Sequence, residues 1–462
     1  MKLERNRQLA KDIVIYGVGN IGNKFLVFLL FPVLTFFIAP EELGYYEVSL
    51  TVILFLLSIT TMQMRESTFR LLIDANDESY KKHILSTTFF IEIIIFAIVL
   101  VIALFLPFFF SIRCFHLIIL SIFAYSIYEL YIQAVRTTYS STHYVLINII
   151  NSFLIVTLVL LFYFVFKRGI ESLFLGNIIS RISAILIIEI PRRKIVNILS
   201  VRCIKKAYAK EIFNYCIPML GVAMALSLIA VPGKFIVNYL YGNEYNGLLA
   251  AAEKYMSILT MLGISFQQAW QVSAVKNYKE HDSETFFSEV FNKFAVALCL
   301  IALCISFGLR SFKSILIGPD FYQSIPLIYV YCISAVFYCL ALFLEITYQC
   351  TKQTAKILYS IVSCAVISVP LTIVLTKYFG LMGMIIALTI SYAYLFIFRY
   401  FHTKSTLPIR LNKDFFLSLI LLIAGGIVFY GSYNRIVDYI VLSITTLLLF
   451  YYLFTLRKYK TG

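Results

Sequence analysis

Charge is what this chain is short of. Asp, Glu, Lys and Arg make up only 14% of its 462 residues, against 61% hydrophobic, too little polar surface to coat a soluble globule. Long polar stretches are also missing, and the short loops between apolar runs leave no room for a separate soluble domain. No Cys-x-x-Cys pair occurs among the nine cysteines. Six of them (Cys216, Cys299, Cys304, Cys332, Cys339 and Cys364) fall inside apolar runs, where they read as small core residues, not a disulfide frame. The five histidines are scattered, with no His-Glu-x-x-His, so neither a metal centre nor a cofactor is expected. The amino-terminal MKLERNRQLAKD has no small-residue cleavage site, and no removable signal peptide is expected.

What is present is a succession of apolar runs long enough to cross a bilayer, since about 20 residues at 1.5 Å rise cover the roughly 30 Å hydrocarbon core. Continuous runs exclude a β-barrel, whose segments are short and alternating. The chain therefore reads as an all-α polytopic membrane protein. About fourteen spans are expected, at roughly 13–38, 45–64, 83–110, 115–135, 144–166, 170–190, 213–240, 247–272, 292–309, 325–349, 357–376, 380–401, 415–433 and 436–455. The formal charge of +15 does not point to nucleic acid, because the Lys and Arg gather in alternate loops. The amino terminus, the 191–211 loop and the final RKYK are basic, whereas the first external turn holds Glu41, Glu42 and Glu47. This places both termini in the cytoplasm and the basic surface against anionic membrane lipid.

An internal repeat organises the spans. FKRGIESLFLGNIIS (Phe166 to Ser180) returns 211 residues later as KYFGLMGMIIALTIS (Lys377 to Ser391), aligning Gly169 with Gly380 and Ser180 with Ser391. The same offset pairs RTTYSSTHY (Arg136 to Tyr144) with TYQCTKQTA (Thr347 to Ala355), and a similar one sets PEELGYY (Pro40 to Tyr46) beside YGNEYNG (Tyr241 to Gly247). Six spans per repeat give two bundles of like orientation. The expected organisation is a six-helix bundle over 1–190, a basic cytoplasmic linker over 191–212, a second six-helix bundle over 213–405, and two extra helices with a basic tail over 406–462. Two such pseudo-symmetric bundles are expected to enclose a central cavity. Pro32, Pro218, Pro232 and Pro370 lie within spans and permit bending there.

Intramembrane charge is expensive, about 2.5–3.5 kcal/mol for a central lysine on insertion scales, and is by default a functional hypothesis. Lys24 lies mid-span in the first helix; Arg181, Lys234 and Lys254 complete the set of candidate cavity cations, suited to phosphate or diphosphate. Glu92, Glu129 and Glu345 are candidates for coupling or for ion pairing with those cations. Tyr16, Asn20, Asn23, Gln267, Gln268 and Gln271 supply hydrogen-bonding groups of the kind sugars prefer. The single Trp, in FQQAWQ (Phe266 to Gln271), falls at the inner third of the eighth span, and an interfacial belt position fits it equally well.

YGVGNIGNKFLVFLLFPVLTFFIAPEELGYYEVS, RESTFRLL (Arg65 to Leu72), NYCIPML (Asn214 to Leu220) and QQAWQ resemble the polysaccharide-exporting, O-antigen-flippase branch of the multidrug, oligosaccharidyl-lipid and polysaccharide (MOP) exporter superfamily. The resemblance implies two six-helix bundles plus two helices. It also implies a non-enzymatic activity: flipping undecaprenyl-diphosphate-linked oligosaccharide, an O-antigen or capsular repeat unit, across the bacterial inner membrane by alternating access. Polysaccharide polymerase or chain-length proteins would be partners, and proton or sodium coupling would drive the cycle. One position departs: many relatives carry Asp-Arg late in the seventh span, where this chain has Gly233-Lys234. Competing readings are a membrane glycosyltransferase or polymerase, with Glu41 and Glu42 as carboxylates, and a cation-coupled drug antiporter of the same superfamily. Pro-Glu-Glu also serves simply as a helix start.

Overall fold

In a bilayer each backbone polar group must be satisfied within its own segment, so apolar runs of this length become helices. The computed structural model describes residues 22, 25–73, 77–108, 112–139, 141–278, 280, 282–351, 353–432 and 434–458. Its helices are α1 (Phe25–Phe37), α2 (Pro40–Thr60), α3 (Met64–Ile73), α4 (Glu78–Phe105), α5 (Phe115–Thr138), α6 (Ser141–Leu160), α7 (Glu171–Arg192) and α8 (Lys194–Ile198). They continue as α9 (Lys206–Tyr241), α10 (Asn243–Asn277), α11 (Ser283–Ser311), α12 (Lys313–Leu316), α13 (Ile325–Cys350), α14 (Thr354–Thr403), α15 (Lys413–Gly431) and α16 (Arg435–Lys458). No strand occurs among the described residues.

Twelve of these helices are long and apolar enough to cross a membrane, making this a multi-pass membrane protein. One of the twelve is double. The 50 residues of α14 break at Gly380, whose φ of +60° and ψ of −141° leave the helical region, and a backbone turned that way favours glycine. With this break, and with α1 as the described part of the first run, the count matches the roughly fourteen spans expected.

The residues form two compact units, one of residues 1–30 and 46–227, the other of 31–45 and 228–462. In the first unit the core gathers Ile84, Leu85, Tyr128, Tyr131, Val135 and Ile188 from α4, α5 and α7. Further along α4, Ile93, Ile98, Val101 and Ile102 are exposed, a surface that lipid chains match. Gly176 lets α7 approach α6: a Cβ there would stand 2.4 Å from Val159 Cγ2.

Aromatic packing organises the second unit. Trp270, only 5% exposed, lies against Phe286, Phe287 and Phe343 at ring separations of 5.4, 4.9 and 5.2 Å. The indole is thus a core residue of the second unit. The two final helices are tied on by polar groups. Asn292 Nδ2 donates to Arg410 O at 2.8 Å, its Oδ1 accepts from Asn412 N at 3.1 Å, and Asn412 in turn caps α15 through Phe415 N. Arg310 on α11 pairs with Asp438 on α16.

The repeat has a backbone counterpart. Gly169 and Gly380, aligned from sequence, both adopt positive φ, +53° and +60°, at the turn that opens the sixth and twelfth spans. Ser180 and Ser391, the other aligned pair, are both fully buried and return hydrogen bonds to their own helices, to Asn177 O and Ala387 O.

Candidate functional site

Each unit carries its own intramembrane charge. Tyr16, Asn20, Asn23 and Lys24 lie outside the described residues; every other predicted site residue can be placed.

In the first unit Arg181 is 8% exposed and its guanidinium is caged. Nη1 donates to Asn177 O at 2.7 Å and to Asn177 Oδ1 at 2.8 Å, while the carbon of the fork lies 3.4 Å above the Tyr125 ring. Asn177 is held in turn by Tyr46, whose hydroxyl oxygen accepts its amide at 3.0 Å. No carboxylate forms an ion pair with Arg181 among the described residues, and its Nε has no hydrogen-bond partner. Ring quadrupole and carbonyl dipoles therefore carry the charge in place of a counter-ion.

The carboxylates of this unit sit elsewhere. Glu92 is 4% exposed and accepts a hydrogen bond from Ser126 Oγ at 2.5 Å. Glu129 pairs with Arg65 Nη1 at 2.8 Å. Burial alone would lower the Arg65 pKa, but the Glu129 carboxylate outweighs it and raises the pKa above the usual arginine value. Arg65 belongs to the RESTFRLL stretch; its partnership with Glu129 was not readable from sequence, because spacing gives the depth of a residue but not the azimuth of a neighbouring helix.

In the second unit Lys234 on α9 meets Glu253 on α10, Nζ to Oε2 at 2.9 Å. Asn246 binds the two helices just beside them, donating to Lys234 O at 3.1 Å and to Asn238 Oδ1 at 3.3 Å. A Cβ on Gly233, beside this pair, would stand 2.4 Å from Met384 Cε, and the flexible methionine tip would have to move aside. Lys254, half-buried, follows on α10.

Glu345 anchors a separate network. Its Oε2 accepts from Arg399 Nη1 at 2.9 Å, and Arg399, 1% exposed, also donates to Ala341 O and Ser360 Oγ. Gln349 links Glu345 to Gln271, which donates to Gln349 Oε1 at 2.6 Å. Gln267 donates to Leu342 O at 3.3 Å, and Gln268 is exposed. The structure therefore joins Glu345 with Gln271 and Lys234 with Glu253, and leaves Arg181, Glu92 and Glu129 in three different settings. Arg399 was missed; as the one arginine in a long apolar run ending in LFIFRYFHT, it left a signal that could have been followed.

Among the described residues no group of three or more His, Cys, Asp or Glu side chains could hold a metal ion. The nine cysteines are all free thiols.

The family model described as "Polysaccharide biosynthesis protein" matches residues 9–271. No curated protein matches the sequence. Among solved structures, the lipid II flippase MurJ in an inward closed conformation superposes with a TM-score of 0.75 at 14% identity, covering 97% of this chain and 100% of that one. An inward-facing multidrug resistance MATE family transporter of the MOP superfamily gives 0.66 at 13% identity over 89% of this chain and 95% of that one. Its outward-facing counterpart gives 0.61 at 13% identity, covering 90% and 96%. The fold is that shared by MurJ and these MATE transporters.

Proposed function

Since this chain belongs to the polysaccharide biosynthesis protein family, we propose that it flips undecaprenyl-diphosphate-linked oligosaccharide, an O-antigen, capsular or exopolysaccharide repeat unit, from the cytoplasmic to the outer leaflet of a bacterial inner membrane. The family match is the observation that carries this reading. The fold supports it, because neighbours of the same architecture are a lipid II flippase and a multidrug resistance transporter. Catalysis of bond making is not required: translocation needs a polar path for the glycan and cations for the diphosphate, while the prenyl chain stays in lipid. Lys24, Arg181, Lys234 and Lys254 are the proposed diphosphate-binding cations, and Tyr16, Asn20, Asn23, Gln267, Gln268 and Gln271 the proposed glycan contacts. Both termini lie in the cytoplasm, where the basic loops meet anionic lipid. Alternating access, in which the cations open to each leaflet in turn, completes the cycle.

The MATE-like fold favours one second reading, a cation-coupled drug antiporter. The two separate in a strain lacking the chain. A flippase defect leaves lipid-linked oligosaccharide in the cytoplasmic leaflet and strips the surface of polymer, with drug sensitivity unchanged. An antiporter defect does the reverse.

A further inference from the structure

Lys234 lies seven residues from the end of α9 and Glu253 ten from the start of α10, about 10 and 15 Å along their helices. They form an ion pair between two apolar helices. Yet the Glu253 side chain is 38% exposed and that of Lys234 16%. An exposed ion pair is costly against acyl chains and is reachable by an anion in water. Its backbones are pinned by Asn246, while the charged heads stay accessible.

Resting on the flippase reading above, we propose that Glu253 is a built-in rival of the substrate: its carboxylate occupies Lys234 in the empty transporter and is displaced by the arriving diphosphate. The ammonium exchanges one oxyanion partner for another. The displaced carboxylate returns to Lys234 when the diphosphate leaves. Other groups facing Glu253 are Tyr331 on α13 and Tyr392 on α14, both close enough to feel its charge, with Lys254 adjacent on its own helix. Neither tyrosine carries a charge at neutral pH, so Lys234 and Glu253 dominate the exchange. The rival keeps affinity moderate, which a transporter needs in order to release its cargo.

The test uses the full chain in nanodiscs with geranyl diphosphate as probe and geraniol as the neutral control. The unaltered protein should bind the diphosphate in preference to geraniol. Glu253→Gln should bind the diphosphate about tenfold or more tightly and should translocate more slowly. Lys234→Gln should lose binding and Lys234→Arg retain it. The inference is overturned if the unaltered protein does not bind the diphosphate, or if a Glu253→Gln variant of unchanged melting temperature keeps the parent's affinity. A Glu253→Met/Lys234→Met double variant, which removes the pair without orphaning either charge, should fold and fail to bind; full binding by it also overturns the inference. If the unaltered chain binds diphosphate as described but moves no glycan lipid, the flippase reading fails and the rivalry at Lys234 stands.

Discussion

Gly44 and Gly247 hold two turns in reciprocal backbone contact. A Cβ on Gly44 would stand 1.7 Å from the carbonyl oxygen of Asn243, and one on Gly247 would stand 2.0 Å from that of Pro40. Pro40 and Asn243 each open a helix four residues before the glycine concerned. The two turns were aligned by the sequence repeat, and their contact is the one that a local two-fold axis would generate. Gly44→Ala or Gly247→Ala should each destabilise the detergent-solubilised protein by about 1–3 kcal/mol, the range for an overpacked site. Thermal unfolding measures it, and a variant as stable as the parent would mean that these turns separate freely.

Arg399 depends on Glu345. With Arg399 1% exposed, Glu345→Ala leaves a buried guanidinium without its counter-ion, an expected loss of about 3–5 kcal/mol. Glu345→Ala with Arg399→Met should recover part of it, and a double-mutant cycle on unfolding reads the coupling.

The last two helices hang on Asn292. Replacing it with Ala removes a donor to Arg410 O and an acceptor for Asn412 N, at an expected cost of about 1–3 kcal/mol for a buried group left unsatisfied. Limited proteolysis should then cut between Thr403 and Lys413 sooner than in the parent.

Two cations should be separable by function. Lys24→Ala is expected to abolish glycan export with the protein still inserted, and Lys24→Arg to keep more of it. Arg181→Lys should lose export despite keeping its charge, because an ammonium reproduces neither the fork to Asn177 nor the stack on Tyr125. Surface polymer, scored beside membrane levels of each variant, checks both.

Span positions were legible because hydrophobic runs report depth directly: the expected 115–135 and 170–190 correspond to Phe115–Thr138 and Glu171–Arg192. Helix lengths were not, since α9 and α10 continue to 36 and 35 residues, past the stretch that hydrophobicity marks. Helix α3 was hidden as well; its Arg65, Glu66 and Arg70 read as loop. The glycines at 169 and 380 were legible as a repeat, and their shared positive φ gives that likeness a physical cause. Partners were the least legible. Nothing in the spacing of Lys234 and Glu253 says that they meet, because the azimuth of α9 against α10 is set by packing between helices and not by position along either one.

The most direct test is translocation of a fluorescent undecaprenyl-diphosphate oligosaccharide in proteoliposomes, read by quencher access to the outer leaflet. Protein-dependent transfer that is lost in Lys24→Ala and slowed in Glu253→Gln is the predicted result. Leaflet distributions identical to protein-free liposomes, with correctly inserted protein and an imposed proton or sodium gradient of either sign, would contradict the account.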